Sequence, residues 1–267
     1  MSISLSTLRR KAEPKPPIAI IYGTHGIGKT TLAVGGADPV VAAIEDGLGQ
    51  LDAPSWGIKT FAEMMEAIGV LYSEEHDRKT LVVDSLDWLE ELVWAETCRQ
   101  NAWQNMESEG FGKAYVAADK VWRDYLDGIK ALRDEKGMTI VQIAHEQIVR
   151  FNSPTTEPYD RHTIKLHKRA SGLVQEHADI IGFMGYRVSI SESRTATQKA
   201  GQGTKRGVGG GQRVLHLEER PAFIAKNRFG MPPNIDLPTQ AEAWKSPETI
   251  WATFAQHLPT ATNSGAK

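Results

Sequence analysis

Residues 23 to 30 read Gly-Thr-His-Gly-Ile-Gly-Lys-Thr, the spacing G-x-x-x-x-G-K-[ST], directly behind the apolar run Ile18 to Tyr22. Those residue types in that order suit the cradling of phosphate groups. Gly23, Gly26 and Gly28 let main-chain N–H groups approach phosphate oxygens that a Cβ would hold off, and Thr24, His25 and Ile27 fill the loop between them. Lys29 supplies a point charge to the β- and γ-phosphates, Thr30 a hard oxygen ligand for Mg²⁺, and Thr31 continues into a helix. A buried strand before the loop and a helix N-terminus after it are the surroundings such a loop requires. The chain is therefore expected to bind a nucleoside triphosphate.

Further acids and bases fall at the ends of strand-like runs. Asp84 closes Thr80-Leu81-Val82-Val83, the placement of a carboxylate that holds Mg²⁺ beside a phosphate loop. Glu45 follows the run Pro39 to Ile44, at the sheet edge where ligands sit in open α/β sheets; it reads as a water-activating carboxylate or as an ordinary polar residue at a strand exit. His145 ends Met138 to Ala144 at that same edge and reads either as a γ-phosphate sensor or as a structural histidine. Asp87 reads as a first-turn helix acid, and Gln142 faces away from the phosphates. Lys226 and Arg228 alternate in an extended segment and so share one face, suited to a polyanion or to guarding a strand edge.

These residues need a parallel sheet to carry them. Short β-type runs alternate with helix-period runs, which gives an α/β fold with helices over a mostly parallel sheet. Helices are expected at 30 to 34, 60 to 72, 86 to 105, 113 to 135 and 247 to 257, with Ser85 as an N-cap. Strands are expected at the runs already named, at Ala178 to Tyr186 with a possible extension through Val188 to Ile190, and at Ala222 to Lys226. Residues 147 to 172 carry no convincing periodicity and 191 to 211 are rich in Gly, Ser, Thr and Gln, so both read as loops. A single domain over 17 to 258 is expected, with a polar N-terminal arm at 1 to 16 and a polar tail at 259 to 267.

Composition narrows the class. The single cysteine, Cys98, excludes an internal disulfide and fits a reducing compartment, and no run has the length of a membrane span, so a soluble, intracellular protein is expected. The net charge of −2 conceals an asymmetry: residues 147 to 213 hold eleven Lys and Arg against five Asp and Glu, a net of +6, leaving −8 for the remainder. A basic stretch with Phe151 and Tyr159 interleaved suits a single-stranded nucleic acid, though an ordinary solvated loop has the same composition.

Taken in order, GTHGIGKT, IED, LVVDS, IVQIAHE with its basic sequel, and AKNRFGMP resemble the P-loop NTPases of the RecA-like ATPase core over residues 17 to about 233. More narrowly they resemble the phage-encoded, core-only RecA-like proteins of the Sak group, described as phage nucleotide-binding or AAA-family ATPases. The resemblance implies ATP and Mg²⁺ as cofactors, Glu45 as the water-activating carboxylate and His145 at the γ-phosphate switch. It implies single-stranded DNA bound by the loop after His145, for which Arg150, Phe151, Arg161, Lys165, Lys168 and Arg169 are the candidates. It also implies a filament or ring in which a neighbour's Lys226 and Arg228 complete the ATP site, a single-strand-binding protein as a further partner, and the cytoplasm of a bacterial host as the location. Strand annealing or exchange is the implied activity; a helicase-like motor or replication accessory, and a binding module that scarcely hydrolyses nucleotide, are the alternatives. Histidine rather than glutamine at the switch, and the lack of a separate DNA-binding domain, are departures from RecA itself.

Overall fold

The computed structural model describes residues 15–49, 51–153, 157–187, 189–193, 204–208 and 211–258. The N-terminal arm through residue 14, the tail from 259 and most of the expected Gly-rich loop lie outside them. In chain order the elements are β1 (Ile18–Gly23), α1 (Lys29–Val34), β2 (Pro39–Ala43), β3 (Ser55–Gly57), α2 (Phe61–Ser73), β4 (Thr80–Asp84), α3 (Leu86–Asn101), α4 (Lys113–Lys136) and β5 (Thr139–Phe151). There follow β6 (Tyr159–Ile164), α5 (Lys168–His177), β7 (Ile180–Tyr186), β8 (Ser189–Ser193), β9 (Thr204–Val208), β10 (Arg213–His216), β11 (Lys226–Asn227), β12 (Asn234–Asp236) and α6 (Pro247–Ala255).

One sheet organises the molecule, in the order β12-β10-β7-β1-β5-β4-β2-β3. From β3 to β7 every neighbouring pair is parallel, and β10 and β12 add antiparallel strands at one side. The central strands are apolar throughout because both faces are covered. Along β1, Ile18, Ile20 and Tyr22 point into a core formed with α2, α3, α4 and α5, while Ala19 and Ile21 point into a second core with α1 and α6. The α/β, mostly parallel architecture is the one the alternating pattern predicts.

Local chemistry sets the helix ends. Thr60 and Glu63 form a reciprocal capping box at the start of α2, and Gly137, with φ of 66°, ends α4 in the left-handed region. The first helix is only six residues long, because Gly35 closes it against the start of α6: a Cβ at Gly35 would lie 2.0 Å from the Pro247 carbonyl oxygen. The third helix stops at Asn101, four residues short of expectation, where Ala102 turns left-handed at φ 54° and the backbone leaves the helical path.

Several expected loops are ordered elements. Residues 147–172 are not a loop: β5 runs on to Phe151 and pairs antiparallel with β6, from Glu146 opposite Ile164 to Phe151 opposite Tyr159, and α5 begins at Lys168. Cross-strand hydrogen bonding supplies what apolar periodicity did not. Likewise β8 and β9 pair with each other within the stretch 191–211, so Ser189 and Ile190 start a separate strand instead of extending β7. The late strand shrinks to Lys226 and Asn227 against β7, since Phe223 makes only isolated bridges.

Candidate nucleotide site

Parallel strands β1, β2 and β4 end at one edge of the sheet, where β5 passes out beyond β1 at His145, and the residues at that edge converge. One strand, β5, lies between the phosphate-loop strand β1 and the Asp84 strand β4, which sets His145 between the loop and the carboxylate. A pocket of about 260 Å³ results, lined by His25, Gly26 and Gly28 to Thr31 of the loop and by Glu45, Asp84 and His145.

The loop is held by close backbone approach. Gly23 stands so near β7 that a Cβ would meet the Met184 carbonyl oxygen at 2.2 Å, and Gly28 adopts φ of 105° with the Trp244 ring against it. Ile27 points into the core beneath the loop. Lys29 is buried and donates to the carbonyls of Gly23 at 2.9 Å and Thr24 at 2.8 Å, drawn across the loop. Burial pulls its pKa below the ordinary lysine value, against the opposing pull of Asp84, Asp87 and Glu45.

The Thr30 hydroxyl donates to Asp84 Oδ2 at 2.9 Å. Two hard oxygen ligands are thus adjacent at the mouth of the loop, and burial raises the Asp84 carboxyl, with Glu45 adding to that and the Thr30 hydrogen bond opposing it. A buried carboxylate so placed favours a cation, so the donor set fits Mg²⁺, which would neutralise charge on the β- and γ-phosphates. Glu45 follows β2, and its backbone N–H is held by the Asp84 carbonyl at 3.1 Å. Its carboxylate accepts from Ser85 Oγ at 3.4 Å and lies 4.0 Å from His145 Nε2. Glu45, His145 and the loop therefore share one small volume.

Two features of this cluster are absent from the sequence reading. Asp87 is no solvated first-turn acid: it is buried, its Oδ1 accepts from the His145 backbone N–H at 3.1 Å, and its Oδ2 lies 2.8 Å from His145 Nδ1. Burial alone would raise this carboxyl, but hydrogen bonds from the His145 ring and backbone and from Ser85 outweigh it and hold the pKa at about 2. His25 stacks on His145 with ring centroids 3.8 Å apart, and its pKa is lowered first by its histidine neighbour, then by burial. Ser85 occupies the N-cap position of α3, yet its hydroxyl serves Asp87 and Glu45 instead of the helix backbone.

One turn along α3, buried Glu90 accepts with both oxygens, each at 3.0 Å, from the backbone N–H of His167 at the start of α5. Burial pushes its carboxyl up to about 7; the His167 hydrogen bond opposes that shift, and Glu91 and Asp87 add to it. The sign follows from linkage: the folded state keeps a proton that the unfolded chain releases above its ordinary value of 4.5. Stability from this group is complete below that value and falls as pH rises towards 7, by about 3 kcal/mol. Glu90→Gln is expected to remove this decline, so that denaturant titrations of the two proteins differ more at pH 8 than at pH 4; an identical pH profile for both contradicts it.

The expected DNA-contacting residues are dispersed. Arg150 is exposed near Asp160 at 3.4 Å, and Phe151 packs between Tyr159 and the Arg161 guanidinium on the hairpin. Arg161 is not available for a phosphate contact, being buried, ion-paired with Glu219 and bonded to the Phe223 carbonyl at 3.2 Å. Arg169 is paired with Asp119, Lys165 is exposed with its ammonium 3.9 Å from Asp87, and Lys168 is exposed in the first turn of α5. Lys226 and Arg228 do stay together, but at the opposite edge of the sheet from the loop. Lys226 donates to the Gln175 carbonyl at 2.6 Å, and Arg228 to Asp179 at 3.2 Å and the Glu176 carbonyl at 3.3 Å, closing the C-terminus of α5.

A glycine-rich loop between a buried strand and a helix, with a lysine, a Thr-Asp pair and a second acid gathered at the C-terminal edge of a parallel sheet, defines an α/β P-loop NTPase. The chain belongs to the family described as AAA domain, whose profile matches residues 15–229. It is similar to the crystal structure of the RadB recombinase, at 15% identity over 79% of this chain and 86% of that one, with a TM-score of 0.43. No curated protein matches the sequence. Among the described residues no helix is long and apolar enough to cross a membrane.

Proposed function

We propose that this chain is a Mg²⁺-dependent ATPase that binds single-stranded DNA, assembles into a filament or ring, and promotes strand annealing or exchange. One observation carries the reading: β5 passes from the phosphate site, at His145, straight into a hairpin with β6 that bears Arg150 and Phe151. A strand shared by a nucleotide sensor and a basic, aromatic surface is the arrangement a nucleotide-switched DNA binder requires. Lys165 and Lys168, exposed between the hairpin and α5, extend that surface. In this reading Lys29 and the loop amides bind the triphosphate, Thr30 and Asp84 hold Mg²⁺, Glu45 activates water and His145 reports the γ-phosphate. Lys226 and Arg228 would exchange their contacts on α5 for the neighbour's phosphates.

ATP hydrolysis measured with and without single-stranded DNA tests the reading. Stimulation by DNA, together with DNA affinity that falls steeply with added salt, is expected; absence of both refutes DNA as the partner. The engagement of Lys226 and Arg228 by their own chain favours a second reading, a nucleotide-binding module with little turnover, which retains nucleotide affinity and lacks measurable hydrolysis.

A further inference from the structure

Resting on the triphosphate-binding reading, we infer that Asp87 is the positioning residue for His145, and that the pair makes binding of a γ-phosphate dependent on the uptake of one proton. Asp87 grips both the main chain and the ring of His145, at 3.1 and 2.8 Å, and is itself fixed by Ser85 Oγ at 2.9 Å. An ionised carboxylate only accepts, so Asp87 draws a hydrogen of the imidazole to Nδ1, and a ring that carries a single hydrogen then presents a bare lone pair at Nε2. That atom faces the pocket, 4.0 Å from Glu45 Oε2.

Phosphate oxygens also only accept. A γ-phosphate reaching Nε2 therefore meets lone pair against lone pair unless the ring gains a proton and becomes a donor at both nitrogens. The surroundings support that change. Asp87 on α3 supplies the counter-charge, and Glu45 after β2 and Asp84 at the end of β4 add negative charge from two more sides. Opposing charges come from Lys29 in the loop and from Lys165 after β6, the latter with its ammonium 3.9 Å from Asp87. His25, stacked at 3.8 Å, has its own protonation disfavoured by its neighbour. A diphosphate, having no γ-phosphate, makes no such demand.

Calorimetric titration of the intact protein at pH 8 with Mg²⁺ and either a non-hydrolysable ATP analogue or ADP, each in two buffers of different ionisation enthalpy, counts the protons. The expected result is close to one more proton taken up per site with the triphosphate analogue than with ADP. His145→Gln donates without titrating and is expected to abolish the proton difference while still binding the analogue. Asp87→Asn is expected to lower affinity for the analogue relative to ADP by about tenfold, the equivalent of one pKa unit. Equal proton counts for the two nucleotides, or a difference that survives in His145→Gln, overturn the inference while leaving nucleotide binding intact. Failure of wild-type protein to bind either nucleotide overturns the parent reading and this one together. Should Asp87→Asn fail to fold, the wild-type and His145→Gln proton counts decide alone.

Discussion

Glu45→Gln is expected to lower ATP turnover by about 100- to 10,000-fold, the range of a lost general base, with nucleotide affinity nearly unchanged. The carboxylate stands at the end of β2 within the pocket, tethered by Ser85 Oγ at 3.4 Å and facing His145 Nε2 at 4.0 Å. Glutamine keeps the shape and the hydrogen-bonding reach but cannot take a proton from water. Paired measurements of phosphate release and of fluorescent-nucleotide binding separate the two properties. Loss of turnover with binding retained identifies Glu45 as the water-activating group. Unchanged turnover shows that the water is activated elsewhere.

Lys29→Ala is expected to weaken triphosphate binding by about 100-fold or more, the scale set by removing one preorganised donor from a buried anion site. The pocket explains the size of the effect. Asp84, Asp87 and Glu45 all act on Lys29 with negative charge, so deleting the ammonium leaves an acidic cavity that repels phosphates. The variant also leaves the Gly23 and Thr24 carbonyls without their donor, at a cost of about 1–3 kcal/mol in stability. Thermal melts recorded beside the binding titration distinguish the two losses. Affinity within a few-fold of wild type would show that the loop amides alone hold the phosphates.

How much of this was legible in sequence depended on the range over which each feature is specified. The central strands were visible because burial on both faces leaves unbroken apolar runs such as Ile18 to Tyr22 and Leu81 to Val83. The phosphate loop and Asp84 were visible because a local pattern and a strand end fix them. The hairpin was not, since β6 reads Tyr-Asp-Arg-His-Thr-Ile and owes its form to hydrogen bonds with β5. Arg161 looked like a free cation because its partner Glu219 lies 58 residues away. Asp87 looked like a dipole-stabilising acid because its partner His145 is 58 residues distant and on a different element. Pairings of that range belong to the tertiary fold, and a single sequence carries no local mark of them.

The thirteen-residue length of β5 has a mechanical consequence. No loop interrupts it between His145 and Phe151, so its last six residues form a lever of about 20 Å, backed by β6, which is held to the rest of the protein where His162 bridges Phe223 and Arg161 bonds the Phe223 carbonyl. One end is clamped in the sheet between β1 and β4, and the His145 backbone N–H is pinned by Asp87 where β5 leaves β1 and pairs with β6 alone. A tilt of about 10° over that length displaces the far end by about 3.5 Å and has to carry the contacts of β6 with Phe223 along with it. Displacements too small to repack the nucleotide pocket are thereby magnified at a surface that another molecule can grip. Force applied to the far end is in turn concentrated on the histidine at its root.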